Sequence, residues 1–170
     1  MQIIDNKALL IRVREPGRIT SAIRTAKQLN DTDVLVKWGL EEAQILKNLR
    51  LKDVPSPIMR DYAWSGLQKP FKHQYTTASF LTLHRRAFCF NEQGTGKTAS
   101  AIWAADYLMK QGLVRRVLVL CPLSIMQSAW ENDLFKFATH RTCAIAHSYS
   151  REKRIKAVEG DADFVICNFD

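Results

Sequence analysis

The stretch NEQGTGKT, residues 91–98, decides the fold of this chain and is the starting point for its function. Two glycines, a lysine and a threonine fall within five consecutive positions. The short apolar run AFCF (87–90) precedes this stretch, and the amphipathic run ASAIWAADYLMKQG (99–112) follows it. Runs of these lengths and spacings predict a strand, a loop and a helix in that order.

A loop of this composition suits the phosphate chain of a nucleotide. Side chains at positions 94 and 96 would obstruct a backbone that wraps around an anion, and the start of the following helix adds a favourable dipole. Lys97 is predicted to reach the β- and γ-phosphates, and the Thr98 hydroxyl to ligate Mg²⁺, so these two residues carry the catalytic role. The predicted nucleotide-binding residues of the loop are Glu92, Gln93, Gly94, Thr95, Gly96, Lys97 and Thr98.

Asn91 stands where the general pattern G-x-x-x-x-G-K-[ST] has its first glycine. In this respect the loop resembles the DE-x-G-x-G-K-T form of superfamily-2 helicases and translocases, and it is most similar to the Swi/Snf-like branch. Upstream, KPFKHQ (69–74) resembles the family segment that places a glutamine against adenine. The resemblance implies that Gln74 reads N6 and N7 of the base, which selects ATP as the cofactor together with Mg²⁺.

The segment VLVLCPLSIMQSAWENDLFKF (117–137) resembles the next motif of that family, in which a strand ends in Cys-Pro-x-Ser before a helix. The resemblance implies that Ser124 and the N–H groups after it hold a phosphate of the tracked nucleic acid. Capping of the helix by Ser124 is the structural alternative, and both roles can coexist. Later matches (146–154 and 161–170) make Ser148 and Arg151 candidate nucleic-acid contacts, with exposed surface as the alternative.

The hydrolytic carboxylates of that family are an Asp-Glu-x-His box on a later strand, and no such tetrapeptide occurs in these 170 residues. Asp170 follows an apolar strand, but it fits an earlier strand of the family better. The resemblance, which extends over about residues 69–170, also implies a second motor lobe as a partner. We therefore expect the front of a longer motor, which binds ATP–Mg²⁺ weakly and does not hydrolyse it at a motor's rate.

Residues 67–170 alternate between helical and strand patterns, which predicts an α/β fold. Together with the resemblance, the expectation is a RecA-like parallel sheet with flanking helices, present as an incomplete first motor lobe. Its strands are expected at AFCF, RRVLVLC, CAIAH and DFVIC, and RRVLVLC reads as a strand covered on both faces.

Residues 1–66 are expected to form a small α+β accessory domain before that lobe. Strands are predicted over 8–13 and 33–38, and helices over 18–29 and 40–51. The stretch IRVREPGR (11–18) is basic enough to contact phosphate, although a charged, solvated strand edge is the simpler interpretation.

A formal net charge of +8 and a pI of about 9.5 favour a polyanionic partner, nucleic acid above all, and the resemblance to Swi/Snf-like motors implies DNA rather than RNA. No apolar run is long enough to cross a membrane, so no membrane partner is expected, and the cytoplasm of a bacterium or a phage-infected host cell is the expected location. Two alternatives stay open: another P-loop enzyme such as a kinase, and a nucleic-acid-binding module without catalysis.

Overall fold

A computed structural model describes residues 1–66 and 68–169, which cluster into two compact units. The first unit contains Met1–Tyr62 and Ser79–Ala87, and the second contains Ala63–Ala78 and the chain from Phe88 onward. The domain boundary expected at residues 66 and 67 stays a prediction. Leu67 and Asp170, which the sequence singled out, lie outside the described residues.

An antiparallel sheet of four strands, in the order β1-β2-β4-β3, forms the centre of the first unit. The pairing of β2 with β4 places Leu9 opposite Val36 and Ile11 opposite Val34. All four side chains are buried, as expected when alternate residues of two paired strands face one core. The strands are β1 (Gln2–Ile4), β2 (Ala8–Arg12), β3 (Lys27–Gln28) and β4 (Asp33–Lys37).

Helices α1 (Pro16–Ala22), α2 (Leu40–Asn48) and α3 (Ile58–Asp61) complete this unit together with the end of the next helix. The predicted strands over 8–13 and 33–38 and the predicted helix over 40–51 are confirmed. The helix predicted over 18–29 is wrong in its second half. Ile23 has extended backbone, and the chain then pairs as β3 with the edge of β4.

The helix predicted after the loop is confirmed. Helix α4 (Lys72–Leu83) belongs to the second unit as far as Ala78, and helix α5 (Lys97–Lys110) lies wholly in it. Gly112 ends α5 in the left-handed region at φ 71°, and the Leu113 N–H donates to the Leu108 carbonyl at 3.0 Å. A glycine in the left-handed region is a common way for a helix to end.

A parallel sheet in the order β5-β7-β6 lies in the second unit, with the register Val117 opposite Phe164 and Cys143 opposite Phe164. Helices α5 and α6 cover one face, where Ile102 and Leu134 are buried against the strands. This mixed α/β arrangement is the expected RecA-like fold class. The remaining elements are β5 (Val117–Leu120), α6 (Asn132–Phe137), β6 (Cys143–Ile145), α7 (Arg151–Glu159) and β7 (Phe164–Cys167).

Two expectations for this sheet are wrong. The apolar run at 87–90 pairs with no strand among residues 1–66 and 68–169, and Phe88 and Phe90 are 81% and 89% exposed. A strand depends on the N–H and C=O groups of a neighbour, and an apolar run does not create one. Strand β5 is also not covered on both faces, because Leu118 and Leu120 are 62% and 59% exposed.

The helix predicted after β5 is also divided. A 3₁₀ turn (Leu123–Ile125) leads into a π-helical stretch (Met126–Glu131), and only then does α6 begin. Ser124 lies inside the turn, and none of these three elements has a side-chain cap hydrogen bond. The predicted capping of the helix by Ser124 is therefore wrong, since the Ser124 hydroxyl is not at the position that precedes a first helical turn.

Candidate functional site: a phosphate loop at the start of α5

The loop before α5 has the backbone that its glycines predict. Gly94 and Gly96 have φ values of 80° and 74°, a region that residues with a Cβ rarely adopt. Gly96 is also the N-cap of α5, and a Cβ built on it would overlap the side-chain amide nitrogen of Gln74. Position 96 therefore favours glycine for its dihedral angle, and a Cβ there would also require the Gln74 side chain to move.

The beginning of α5 offers hydrogen-bond donors to an anion. The first bond of the helix runs from the Ser100 N–H to the Gly96 carbonyl at 3.1 Å, so the N–H groups of Lys97, Thr98 and Ala99 precede the intrahelical ladder. No side chain caps this end of the helix. Three convergent N–H groups at the positive end of a helix dipole form a place where a phosphate is stabilised.

The Lys97 ammonium folds back onto its own loop. Its Nζ atom donates to the carbonyl oxygens of Asn91 at 2.9 Å and Glu92 at 2.8 Å. Both acceptors are neutral, so an anionic phosphate oxygen in reach of the ammonium would be the stronger partner. Lys97 is thus held in the loop by contacts that a phosphate can replace.

Thr95 connects the loop to helix α4. Its carbonyl oxygen accepts from Gln74 Nε2 at 3.3 Å and lies 2.9 Å from His73 Nε2, which donates in the Nε2–H tautomer. Its hydroxyl donates to the Glu92 carbonyl at 2.8 Å. These contacts fix the middle of the loop from both sides.

Gln74 is buried, and its side-chain amide is already bonded at both ends. Its Oε1 atom accepts from the Phe71 N–H at 2.9 Å, while Nε2 donates to Thr95. Recognition of adenine by Gln74 stays a prediction, and it requires the amide to exchange these partners for the base.

Two residues that contact the loop were not predicted from the sequence: His73 and Thr77. The Asn91 side-chain amide donates to Thr77 Oγ1 at 2.8 Å, and the Thr77 hydroxyl donates to the His73 carbonyl at 2.9 Å. A signal for Thr77 existed, because it lies three residues after Gln74 and so shares its helix face. Asn91, which stands where the general pattern has glycine, therefore attaches the loop to α4 through its side chain.

The three predicted nucleic-acid contacts lie beyond the carboxyl ends of β5 and β6. Ser124 is exposed in the turn after β5. Ser148, after β6, accepts from the Ser150 N–H at 3.2 Å, and exposed Arg151 opens α7. Carboxyl ends of parallel strands meet at one edge of a sheet, which is the edge where ligands of α/β folds bind. Their roles stay predictions.

A buried carboxylate holds the far half of α5. Asp106 is fully buried, and its Oδ1 atom accepts from Arg141 Nε at 2.7 Å and lies 2.9 Å from His140 Nε2. Lys110 approaches the other carboxylate oxygen at 3.1 Å. Three cationic or potentially cationic groups therefore compensate one buried charge, and they join α5 to the segment before β6.

Comparison with known families decides the class of protein. The SNF2-related domain matches residues 25–170. The chain belongs to the SNF2-related domain family. This family consists of ATP-using enzymes of the helicase and translocase type, which confirms the resemblance to the Swi/Snf-like branch inferred from the loop.

Among solved structures, this SNF2-related chain is similar to the Sulfolobus solfataricus SWI2/SNF2 ATPase core in complex with dsDNA. The two share 27% sequence identity with a TM-score of 0.53, over 62% of this chain and 22% of the other. The SNF2-related chain thus spans less than a quarter of that protein's length. A search of curated proteins finds no match. No helix among the described residues is long and apolar enough to cross a bilayer.

Proposed function

We propose that this chain is the ATP-binding portion of an ATP-dependent DNA helicase or translocase, and that the loop around Lys97 receives the triphosphate. One observation carries the proposal: the Lys97 ammonium rests on two loop carbonyls beside three N–H groups of α5 that have no intrahelical acceptor. A lysine held only by neutral acceptors at a helix start is ready for an anion.

Binding then proceeds through this chain's own groups. The N–H groups of the first turn of α5 donate to the phosphate oxygens, and Lys97 exchanges the carbonyls of Asn91 and Glu92 for the β- and γ-phosphates. Gly96 lets the backbone approach closely, and Glu92, Gln93, Gly94 and Thr95 form the wall of the cradle. Gln74 contributes the recognition of adenine.

Thr98 fits the role of the Mg²⁺ ligand. It is half-buried in the first turn of α5, and among residues 1–66 and 68–169 its hydroxyl has no hydrogen-bond partner. A hydroxyl without a protein partner beside a phosphate cradle is available to a hard cation, which prefers oxygen ligands. Mg²⁺ supplies charge neutralisation on the phosphate oxygens when it is bound.

The 170 residues alone are proposed to bind ATP–Mg²⁺ weakly without sustained hydrolysis. They contain no Asp-Glu-x-His tetrapeptide, so the pair of carboxylates for metal and water is not among them. The same proposal includes the second motor lobe, which the resemblance implies, as a partner of this chain. Sustained DNA-stimulated ATPase activity from this chain would overturn this part of the proposal.

DNA is the proposed polymer on which the complete motor moves. The similar Sulfolobus structure is a complex with dsDNA, and this chain carries a net charge of +8. Ser124, Ser148 and Arg151 lie beyond the carboxyl ends of the strands, where a backbone phosphate can be held by hydroxyl, N–H and guanidinium groups.

Titration of a fluorescent ATP analogue into this chain, with and without Mg²⁺, tests the nucleotide site. Lys97→Ala removes a charge-assisted contact and is expected to weaken binding by about tenfold to a hundredfold. Lys153→Ala, an exposed lysine on α7, is the matched control and is expected to bind like the unaltered chain. Equal affinities for all three proteins would overturn the proposal. In the complete motor, Lys97→Ala is expected to abolish ATPase activity and translocation.

A further inference from the structure

A basic groove of about 490 Å³ lies in the first unit, and none of its lining residues belongs to the proposed nucleotide site. Its apolar lining comes from Val13, Ile19, Leu49 and Leu51, of which Ile19 is buried. Charged side chains form the rest of the lining, and each cation among them is an arginine. The charged lining residues are Arg12, Arg14, Glu15, Arg18 and Arg50.

The arginines reach the groove from separate parts of the chain. Arg12 ends β2, Arg14 lies in the loop after it, Arg18 is in α1, and Arg50 follows α2. The sequence alone shows a basic stretch over residues 11–18, and the fold adds Arg50 from 32 residues beyond Arg18. This convergence is a property of the tertiary structure.

Most of this positive charge is not neutralised within the chain. Arg12 is paired with Asp33, through Nε at 2.8 Å and Nη2 at 3.1 Å. In contrast, no carboxylate of the described residues forms an ion pair with Arg14, Arg18 or Arg50, all of which are exposed. Three guanidinium groups are therefore available to an anionic partner.

The backbone at Arg50 gives an independent indication that this side chain is used. Arg50 has a φ of 64°, and the Leu51 N–H donates to the Leu46 carbonyl at 3.1 Å while the Arg50 N–H donates to Lys47 at 2.9 Å. This pattern is a helix end whose left-handed position normally holds glycine. The chain instead places an arginine there, in a conformation that disfavours any residue with a Cβ.

We propose that this groove binds the sugar–phosphate backbone of a DNA strand, as a second DNA-binding site separate from the ATP-binding lobe. Guanidinium groups bind phosphate oxygens in a bidentate manner, which explains why the cations here are arginines. The apolar floor suits the less polar faces of the sugars between successive phosphates. A strand of DNA offers both features in alternation, whereas a free anion offers only charge.

The test compares two variants of the full chain that lose the same number of charges from the first unit. The first replaces Arg14, Arg18 and Arg50 with alanine. The matched control replaces Arg24, Lys27 and Lys37, which are exposed cations that do not line the groove. Fluorescence anisotropy with labelled single-stranded and duplex DNA, at several salt concentrations and without ATP, gives the affinity and its salt dependence.

The groove variant is expected to lose about tenfold or more in DNA affinity, and its slope of log K against log salt is expected to fall by roughly 2 to 3. The control variant is expected to change far less. Equal losses in the two variants would show a diffuse charge effect and overturn the proposal. Inorganic phosphate binding without any change in DNA affinity would overturn it as well.

Arg50→Gly separates a functional role of this side chain from a structural one. Glycine relieves the left-handed backbone, so the melting temperature is expected to rise while DNA affinity falls. A loss of DNA affinity together with a lower melting temperature would indicate simple unfolding and contradict the assignment. Circular dichroism melting curves of both proteins give this comparison.

The groove does not depend on the nucleotide proposal, and one additional variant keeps the two apart. DNA affinity of the groove variants is measured without ATP, and Lys97, which carries the nucleotide proposal, does not line the groove. If Lys97→Ala retains full nucleotide affinity, the proposed function fails while the groove is still tested by its own variants. If the groove variant binds DNA normally, the groove proposal fails alone.

Discussion

Asn91 and Thr77 are joined by a hydrogen bond of 2.8 Å, from the Asn91 side-chain amide to the Thr77 hydroxyl oxygen. The Asn91 carbonyl at the same time accepts from Lys97 Nζ at 2.9 Å. One residue therefore attaches the phosphate loop to helix α4 with its side chain and holds the ammonium with its backbone. A glycine at position 91, as in the general P-loop pattern, could provide only the second contact.

Loss of this hydrogen bond is expected to weaken ATP binding because the start of the loop is then less pre-organised. Asn91→Ala and Thr77→Val each remove one partner, and each is expected to weaken binding of a fluorescent ATP analogue by roughly three- to tenfold. The double variant is expected to be no weaker than either single variant, since both remove the same interaction. Strictly additive losses would show that the two side chains act separately.

Alanine at Gly96 is expected to affect both stability and nucleotide binding. Its φ of 74° makes a Cβ unfavourable, by about 1 kcal/mol or more, and the Cβ would also displace the Gln74 amide. Gly112→Ala is the matched control, because Gly112 has a similar φ of 71° but open space around its Cβ position. Urea unfolding is expected to show a loss in both variants, and nucleotide titration a loss only in Gly96→Ala. Normal nucleotide affinity in Gly96→Ala would contradict the close approach of Gln74.

Features set by local physics could be predicted from the sequence. The left-handed glycines 94, 96 and 112 and the span of α5 follow from residue types that act within a few positions. Strands β5, β6 and β7 follow from continuous apolar runs, which parallel sheets require. The same kind of run at 87–90 gave a wrong strand, because a strand also needs a neighbour that no local pattern specifies.

Features that depend on distant residues were not predictable in this way. The contact between Asn91 in the loop and Thr77 in α4 joins two residues that are 14 positions apart in the sequence. Arg50 reaches the basic groove only through the tertiary fold of the first unit, because Arg12, which also lines the groove, lies 38 residues earlier in the sequence. A basic stretch such as residues 11–18 looks like solvated surface until its distant partner is known.

The loss of stability on acidification is expected to depend in part on Asp33. Arg12, followed by Asn30, holds the pKa of this carboxylate at about 2, below its ordinary value of 3.8, through hydrogen bonds. Because the folded-state pKa is lowered, the Asp33 carboxylate adds its full share to the free energy of unfolding above the unfolded-state pKa. This share is lost as the pH falls through about 4 to 2. Asp33→Asn is therefore expected to have a lower melting temperature than the unaltered chain at pH 6. That difference is expected to shrink by pH 2. A difference that stays constant from pH 6 to pH 2 would contradict this assignment.

Removal of the Asp106 carboxylate is expected to be the most destabilising of these changes. Asp106 is fully buried, and its loss leaves Arg141 and its cationic neighbours without their shared partner, at a cost of about 3 kcal/mol. Asp133→Ala is the matched control, since Asp133 forms an ion pair with Lys136 at the surface and its loss is expected to cost less than about 1 kcal/mol. Urea titrations of both variants measure the two costs. Similar costs for the two aspartates would mean that Asp106 does not join α5 to the segment before β6.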